Sequence, residues 1–367
     1  MTGRMKRHLL QSIAFLAGGI FVLLLPSLVA HFPEAAENYA RNIFPILSFP
    51  LVFLTSLLPF SLTEVFLYLL ITAAPVLLVL FFVRLFRGKK RFAFCLSVAC
   101  ALMAVFLVCA LLYTFMHGMN YSRYPMSELL FPEKRERSLE DLAEVTGWLA
   151  RMSSETRDSQ RENEHGVMIL SSSLAEALSD GNEALDLAAA DFPVLSGNHA
   201  DGKGVWISPY WSYTGITGMY MPFLGEANVN TDVPALNLPL TICHELAHVR
   251  GAAREQDANL VGFLGCIYSP RVDFRYSGYQ FAYRYCASDL YRADPEVFAE
   301  VSRGISEAVG RDWADNSAYW KQFEGPVQEV STKINDSFLQ ANRQEGVVSY
   351  SRVTELIVEY YFQYIKN

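Results

Sequence analysis

Three long apolar runs open the chain, at residues 9–30, 62–84 and 94–115. Each run is long enough to cross a hydrocarbon core of about 30 Å as a helix. The second run follows a helix-start pattern with Ser61 and Glu64 three residues apart, and it contains Pro75, which helices in lipid tolerate as a kink. The pattern therefore predicts a membrane region at residues 1–116 with three transmembrane helices.

A fourth apolar stretch, residues 43–60, is interrupted by Pro45, Pro50 and Pro59. Proline removes a backbone donor and kinks or ends a helix. We therefore expect an interfacial or re-entrant segment here rather than a fourth span.

Basic residues predict the orientation of the spans. Eight of them lie before the first run or between the second and third: Arg4, Lys6, Arg7, Arg84, Arg87, Lys89, Lys90 and Arg91. The other loop contains only Arg41. The positive-inside rule then places the N-terminus in the cytoplasm and everything after residue 116 outside. A cleaved signal peptide is the alternative for the first run, but residues 28–30 form a poor cleavage site.

The remaining residues, 117–367, are predicted to form one outer domain. A helix begins at Ser138 and runs to about Met152, followed by a charged region at 155–164 that is expected to be loop or frayed helix. Strand-like pieces at 167–170, 204–208 and 218–230 come next, and helices dominate from Pro239 onward, ending in a helix at 349–366 with one apolar face. The predicted fold is mainly α with a small β-sheet, attached to an α-helical transmembrane region.

Charge separates the two parts of the chain. Residues 1–92 carry 9 basic and 3 acidic side chains, and the rest carries 21 basic and 35 acidic ones. An acidic outer domain is poorly suited to nucleic acid or to anionic lipid headgroups, and the lipid bilayer is expected as a partner only because of the three apolar runs. The six cysteines do not form a ligand pattern, although one disulfide among Cys243, Cys266 and Cys286 stays open.

The candidate chemistry lies in the sequence His244-Glu245-Leu246-Ala247-His248. Histidines four residues apart project from one face of a helix and can bind one Zn²⁺ ion. Glu245 is rotated away from that face, so it is predicted to act as the general base on the metal's water and then to protonate the leaving group. Gly251 is expected to end this helix in a left-handed turn.

A catalytic zinc ion needs a third protein ligand. A histidine in the His-x-x-Gly-x-x-His pattern would fall at position 254, which is Arg254. Glu255 is the predicted ligand, with Asp257 as the competing carboxylate. Asn259, one turn after Glu255, and Asp257 are expected to support the ligands or the helix N-terminus.

Two further sets of residues are candidates for substrate and transition-state binding. The segment 218–230 could be an edge strand that pairs with an extended peptide, and an ordinary strand and turn is the alternative. Its candidate substrate-binding residues are Gly218, Met219, Tyr220, Met221, Glu226 and Asn228. Tyr276, Tyr279 or Arg275 could stabilise the oxyanion, the alternative being that the aromatic rings belong to the core.

A small sheet before the helix with the two histidines resembles the zincin proteases. The whole chain also resembles an uncharacterised bacterial family of membrane proteins, a domain of unknown function with a zinc-metallopeptidase-like outer domain. The matching segments are GMNYSR at 118–123, PFLGEANVN at 222–230, HELAHVRGAAREQDAN at 244–259, FRYSGY at 274–279 and SYSR at 349–352. Glu255 to Asn259 is also similar to the Glu-x-x-Ala-Asp of membrane prenyl-protein proteases, with Asn in place of Asp, and that resemblance implies Glu255 as third ligand.

These patterns predict a multi-pass protein of the bacterial cell membrane that hydrolyses peptide bonds of a peptide or protein substrate with zinc. Two alternatives stay open, a catalytically silent zinc-binding sensor or scaffold and a zinc hydrolase of a non-peptide bond such as a cell-wall amide. Substrate specificity and oligomeric state do not follow from the sequence.

Overall fold

The computed structural model describes residues 3–132, 137–342 and 353–366 and is mainly helical, with two small sheets. The first five helices are α1 (Gly3–Val29), α2 (Pro33–Asn38), α3 (Phe44–Ser56), α4 (Leu62–Arg87) and α5 (Arg91–Met116). Among the described helices, α1, α4 and α5 are long and apolar enough to cross a membrane. The three predicted apolar spans are thereby confirmed as helices, each extending a few residues beyond a predicted end.

Helices α1 and α5 lie side by side and run in the same direction. Near the middle of the pair, a Cβ added to Gly19 would lie 2.4 Å from the Phe106 ring, so the ring packs directly on the α1 backbone. Near the end of the pair, Ser122, just after α5, donates a hydrogen bond of 2.7 Å to the carbonyl of Pro26. The N-terminal ends of both helices therefore lie at the same end of the pair, as a three-span path requires.

The proline-interrupted stretch forms helix α3, preceded by a π-helical turn at Tyr39–Ile43. Pro45 lies in the first turn of α3, where no backbone donor is needed, and Pro50 lies within the helix. One face of α3 is buried against the part of the chain after residue 116, called the outer domain here after its predicted location, where Asn198 donates 2.8 Å hydrogen bonds to the Pro45 carbonyl and to Ser48. The opposite face exposes large apolar side chains, namely Ile46, Phe49, Phe53 and Leu54. Its interfacial position in a membrane stays a prediction.

Helix α4 begins as the sequence predicts, with one difference. The Ser61 hydroxyl accepts the Glu64 backbone N–H at 3.0 Å, which caps the helix. The Glu64 carboxylate does not complete a capping box, because it accepts the backbone N–H groups of Trp206 and Ile207 at 2.8 and 2.7 Å. The start of α4 is therefore bonded to the outer domain.

The outer domain contains α6 (Met126–Leu130), α7 (Leu139–Asp158), α8 (Leu174–Asp191), α9 (Ser208–Ser212), α10 (Leu238–Val249), α11 (Glu255–Tyr268), α12 (Val272–Ala293), α13 (Pro295–Val301), α14 (Glu307–Lys321), α15 (Pro326–Ala341) and α16 (Val353–Tyr360). Ser138 and Asp141 form the capping box of α7, which runs past Met152 to Asp158 and so into the region predicted as loop or frayed helix. Helix α8, which was not predicted, starts at a capping box of Ser173 and Glu176.

Helix α10 lies at the centre of the domain, packed between α8, α11 and α12. Ile242 and Leu246 on α10 are almost completely buried, as is Leu264 on α11. The predicted C-terminal helix contributes to the same core through α16, although residues 349–352 lie outside the described part of the chain.

The predicted strands are shorter and differently arranged. β1 (Arg161–Glu162) and β2 (Met168–Ile169) form an antiparallel pair apart from the main sheet. The main sheet contains β3 (Lys203–Gly204), β4 (Gly218–Met221) and β5 (Glu226–Val229), ordered β3-β5-β4. β5 pairs parallel with β3 and antiparallel with β4.

The single strand predicted over 218–230 is therefore wrong, and the alternative of a strand and a turn is closer to the structure. A turn separates β4 from β5, with Pro222 in the turn and Gly225 at its end, where a φ of 66° favours glycine. Within this sheet β4 is at the edge and β5 is in the middle. All six cysteines are free thiols, and Cys243, Cys266 and Cys286 are buried.

Candidate metal centre

The two histidines of α10 face the same side of the helix, as their spacing predicts. Their ring centroids are 4.9 Å apart and the rings are nearly perpendicular, at 89°. Helix α10 ends at Val249, and Gly251 follows with a φ of 92°, which confirms the predicted left-handed turn. The turn reverses the chain so that α11 returns along α10.

Glu255 is the first residue of α11 and reaches both histidines. Its Oε2 lies 3.3 Å from His244 Nε2, and its Oε1 lies 3.7 Å from His248 Nε2. One ligand atom from each of the three side chains lies within 4.8 Å of the others. His244 and Glu255 keep 14% of their side-chain surface exposed, so the cluster is open to a small ligand.

The two helices approach closely where the cluster forms. A Cβ added to Gly262 on α11 would lie 3.2 Å from the backbone nitrogen of His244 and 3.3 Å from its Cα. The absence of a side chain at Gly262 therefore lets α11 lie against the α10 backbone at the first histidine.

Hydrogen bonds on the far side of the rings hold the histidines in place. His248 Nδ1 lies 2.6 Å from the Ala252 carbonyl, so this nitrogen carries the proton and Nε2 faces Glu255. Asn259 hydrogen-bonds His244. Burial by itself would lower the pKa of His244, but Glu255, with smaller effects of Glu245 and Asn259, raises it above its ordinary value. Asn259 thus lies where the sequence analysis expected a supporting residue.

Asp257, the competing ligand, has other partners. It accepts the Met126 backbone N–H at 3.1 Å and the Arg254 guanidinium at 3.3 Å. Its carboxylate therefore binds α6 and its own helix start, and it is outside the group of ligand atoms formed by Glu255 and the histidines.

Electrostatics favour an ionised carboxylate at Glu255 beside neutral imidazole at His248. Burial by itself would raise the pKa of the Glu255 carboxyl, but the hydrogen bond from His244 and the nearby imidazoles hold that pKa at about 2. Burial lowers the pKa of His248 to about 4. An anionic carboxylate and an unprotonated imidazole are the forms that bind a metal ion.

Glu245 points to a different place, beneath the edge strand β4. It is 4% exposed, and its Oε2 has no hydrogen-bond partner among the described residues. Burial raises the pKa of Glu245 to about 8 against the opposing effect of His244. A Cβ added to Gly218 would lie 2.4 Å from Glu245 Oε1, so β4 crosses directly over this carboxylate.

The predicted substrate-binding residues divide into two groups. Gly218, Met219, Tyr220 and Met221 form β4 at the sheet edge, and the Tyr220 ring stacks on His248 with centroids 6.1 Å apart. Glu226 and Asn228 lie on the middle strand β5 instead.

Both β5 side chains bind the start of α4. Glu226 accepts the Leu62 and Thr63 backbone N–H groups at 3.0 and 2.8 Å, and Asn228 accepts the Ser61 hydroxyl at 2.6 Å. The expectation that they bind substrate is corrected, because these polar groups are occupied by a helix N-terminus.

The predicted oxyanion residues also lie elsewhere. Tyr276 is fully buried in a small separate core, and its hydroxyl donates to Asp312 at 2.7 Å. Tyr279 packs edge-to-face on Trp148, and Arg275 donates to the carbonyls of Ser269 and Pro270. The structure does not bring these three side chains to the histidine cluster, and the core alternative describes both tyrosines.

His117 is a site residue that the sequence analysis missed. It follows the last residue of α5, and its ring centroid lies 5.9 Å from that of His248 and 5.4 Å from that of Tyr220. Its Nε2 lies 3.0 Å from the Tyr121 hydroxyl. Burial lowers the pKa of His117 to about 3, which keeps its ring neutral. The only sequence signal was its position beside the segment 118–123.

Comparisons with known proteins give one match. No curated protein and no solved structure matches the chain. The family described as "Protein of unknown function (DUF3810)" matches residues 39–358, a range that includes two of the membrane-length helices and the whole histidine cluster. The chain therefore belongs to the DUF3810 family of proteins of unknown function.

Proposed function

We propose that this chain is a membrane-anchored zinc metallopeptidase that hydrolyses peptide bonds. The observation that carries the proposal is the convergence of His244, His248 and Glu255 from two helices, with ligand atoms within 4.8 Å of one another. The proposal also places the protein in a bacterial cell membrane, with a cytoplasmic N-terminus and an extracytoplasmic outer domain.

The donor set fits a zinc ion. Two imidazoles and one carboxylate are the ligands of many catalytic zinc sites, which leave a fourth position open. The hydrogen bonds that His248 makes with Ala252 and that His244 makes with Asn259 are of the kind that orient metal-binding imidazoles. When bound, zinc would lower the pKa of a coordinated water and polarise a carbonyl group.

Glu245 supplies proton transfer in this proposal. It adjoins His244 on α10 and is outside the ligand group, with one carboxylate oxygen buried and unpartnered among the described residues. Burial raises the pKa of Glu245 to about 8 when no metal is bound, and the positive charge of a bound zinc ion would lower that pKa. The carboxylate form can then accept a proton from the attacking water and return it to the leaving amine.

β4 supplies the substrate-binding edge. Among the described strands it pairs only with β5, and it crosses directly over Glu245, to which the Tyr220 backbone N–H donates. A peptide that adds to the free side of β4 as a further strand would be held in extended form beside the proposed base.

The test is metal analysis of the purified full-length protein together with digestion of a broad peptide library. We expect one zinc ion per chain and cleavage that Glu245→Gln lowers by about 10²- to 10⁴-fold while zinc is retained. Glu324→Gln, an exposed site on the same protein, is the matched control. A wild-type protein that holds zinc and cleaves nothing would contradict the proposal and favour the silent sensor or the non-peptide hydrolase.

A further inference from the structure

The proposed site lies at the ends of two membrane-length helices. α5 ends at Met116, and the next residue, His117, packs against His248. The Tyr220 hydroxyl on β4 donates to the Met116 carbonyl at 3.3 Å. The edge strand therefore contacts the last turn of α5 with no intervening linker.

The second contact is at the start of α4. Glu226 and Asn228 bind the first residues of α4, and in the sheet they pair directly with Met221 and Met219 of β4. The edge strand is therefore one strand away from the N-terminus of a second membrane-length helix. A strand held between these two helix ends lies at the level where the chain itself leaves the bilayer.

The surroundings of α4 agree with this depth. Trp206, whose backbone donates to Glu64 at the start of α4, has 72% of its surface exposed, and Tyr210 has 71%. Phe49 and Phe53 on the outer face of α3 are more than half exposed. Exposed tryptophan and tyrosine rings next to apolar helices are typical of the membrane–water interface.

We infer that the substrate is an extended segment of a membrane-anchored polypeptide, cut within a few residues of where that polypeptide leaves the bilayer. The inference rests on the proposed peptidase function and adds the substrate class. An extended residue spans about 3.3 Å, so the four residues of β4 hold roughly 13 Å of chain along the interface. A substrate segment that directly adjoins its own transmembrane anchor already lies at the membrane–water interface.

The experiment reconstitutes the full-length protein in liposomes with a series of substrates. Each substrate carries one cleavage sequence, chosen from the peptide library, joined to a transmembrane helix by a flexible spacer of about 5, 20 or 40 residues, which fully extended reach about 17, 70 and 140 Å. The free peptide and the Glu245→Gln protein are run in parallel, and a soluble protease confirms that every cleavage sequence is accessible.

We expect cleavage of the substrate with the shortest spacer, at a rate at least tenfold above that of the longest one. Cleavage that appears only with 20 or more spacer residues would place the site far from the bilayer and overturn the inference. Cleavage of the free peptide alone would also overturn it while leaving the proposed function intact. If no substrate and no free peptide is cut, the proposed function itself fails, and the inference fails with it.

Discussion

Gly218 has no side chain at the point where β4 crosses Glu245, and this limits what position 218 tolerates. An alanine there would place its Cβ 2.4 Å from Glu245 Oε1, so the strand or the carboxylate must move. Because such displacements of a catalytic group are costly, we expect Gly218→Ala to lower hydrolysis by about 10²-fold with zinc content unchanged. Gly310→Ala is the control, since nothing lies within 4 Å of an added Cβ there. Wild-type turnover in Gly218→Ala would contradict this arrangement.

The proposal assigns Glu255, and not the nearby Asp257, as the third zinc ligand. Glu255→Gln should lose stoichiometric zinc because the amide is a poor metal ligand, as should His244→Ala and His248→Ala. Asp257→Asn should keep zinc, since this carboxylate binds the Met126 N–H and Arg254 rather than the histidines. Elemental analysis of the purified variants measures both. Zinc loss in Asp257→Asn with retention in Glu255→Gln would reverse the assignment.

At the residue scale, local spacing carried most of the candidate site. Two histidines and two acids lie within 12 positions of one another, so helical geometry alone could relate them. His117 lies more than 100 positions earlier, and no local pattern connects it to His248. Tyr276 and Tyr279 were misplaced because a sequence does not tell which face of a buried helix meets the site and which meets other core residues.

At the scale of elements, the bond between β5 and α4 can be tested directly. Glu226 accepts two backbone N–H groups and the Thr63 hydroxyl at the positive end of the α4 dipole. Glu226→Gln replaces this charged acceptor with a neutral amide, and we expect a loss of about 2 kcal/mol in stability. Thermal unfolding in detergent measures it against Glu324→Gln. Equal melting temperatures for the two variants would show that the contact contributes little.

A buried ion pair between Glu37 and Arg123 joins α2 to the segment after α5, and it makes the stability of the protein depend on pH. Burial would raise the pKa of Glu37, but two hydrogen bonds from Arg123 and the charge of Arg41 hold that pKa below its ordinary value of 4.5. A carboxyl whose pKa is lower in the folded than in the unfolded state contributes its full stabilisation at a pH above its unfolded-state pKa. This stabilisation is lost as the pH falls through the folded-state pKa.

Melting temperatures of the wild type should therefore fall when the pH is lowered from about 5 toward 3. Glu37→Gln should lower stability by about 3 kcal/mol at neutral pH, since Arg123 stays buried without its anion, and should flatten the acid dependence. Glu34→Gln, on the same helix, is the control. If the melting temperature of Glu37→Gln falls with acid as steeply as that of the wild type, other carboxyl groups cause the pH dependence.

Long apolar helices and helices with a clear capping pattern could be predicted from the sequence, whereas short strands and turns could not. The apolar runs of α1, α4 and α5 and the Ser138 helix start follow from hydropathy and capping alone. The segment 218–230 was expected to be one edge strand because Met219 to Leu224 form an unbroken apolar run, and the sequence does not reveal the positive φ of Gly225 that ends the turn. Helix α8 does carry a sequence signal, the Ser173–Glu176 capping box followed by small apolar residues at helical spacing, and the prediction overlooked it.

For the whole molecule, topology is the first prediction. Eight basic residues at one end of the spans against one at the other predict a cytoplasmic N-terminus. Reporter fusions after Arg91 and after His117 should therefore report inside and outside. The parallel packing of α1 and α5 requires the loop before α5 to lie on the same side as the N-terminus. The same side for both fusions would contradict three spans.

The contacts of α3 and of Arg123 also determine where the chain can be truncated for expression. A truncated chain starting at residue 117 would lack Glu37, the only described carboxylate partner of Arg123, and Phe44, which packs against Gly251 beside the histidine cluster. It would also lack the start of α4, residues 61–64, leaving Glu226, Asn228 and the backbone of Trp206 without their partners. Expression of residues 117–367 alone should therefore yield an unstable product, and we expect purification of an intact centre to require detergent and the entire chain.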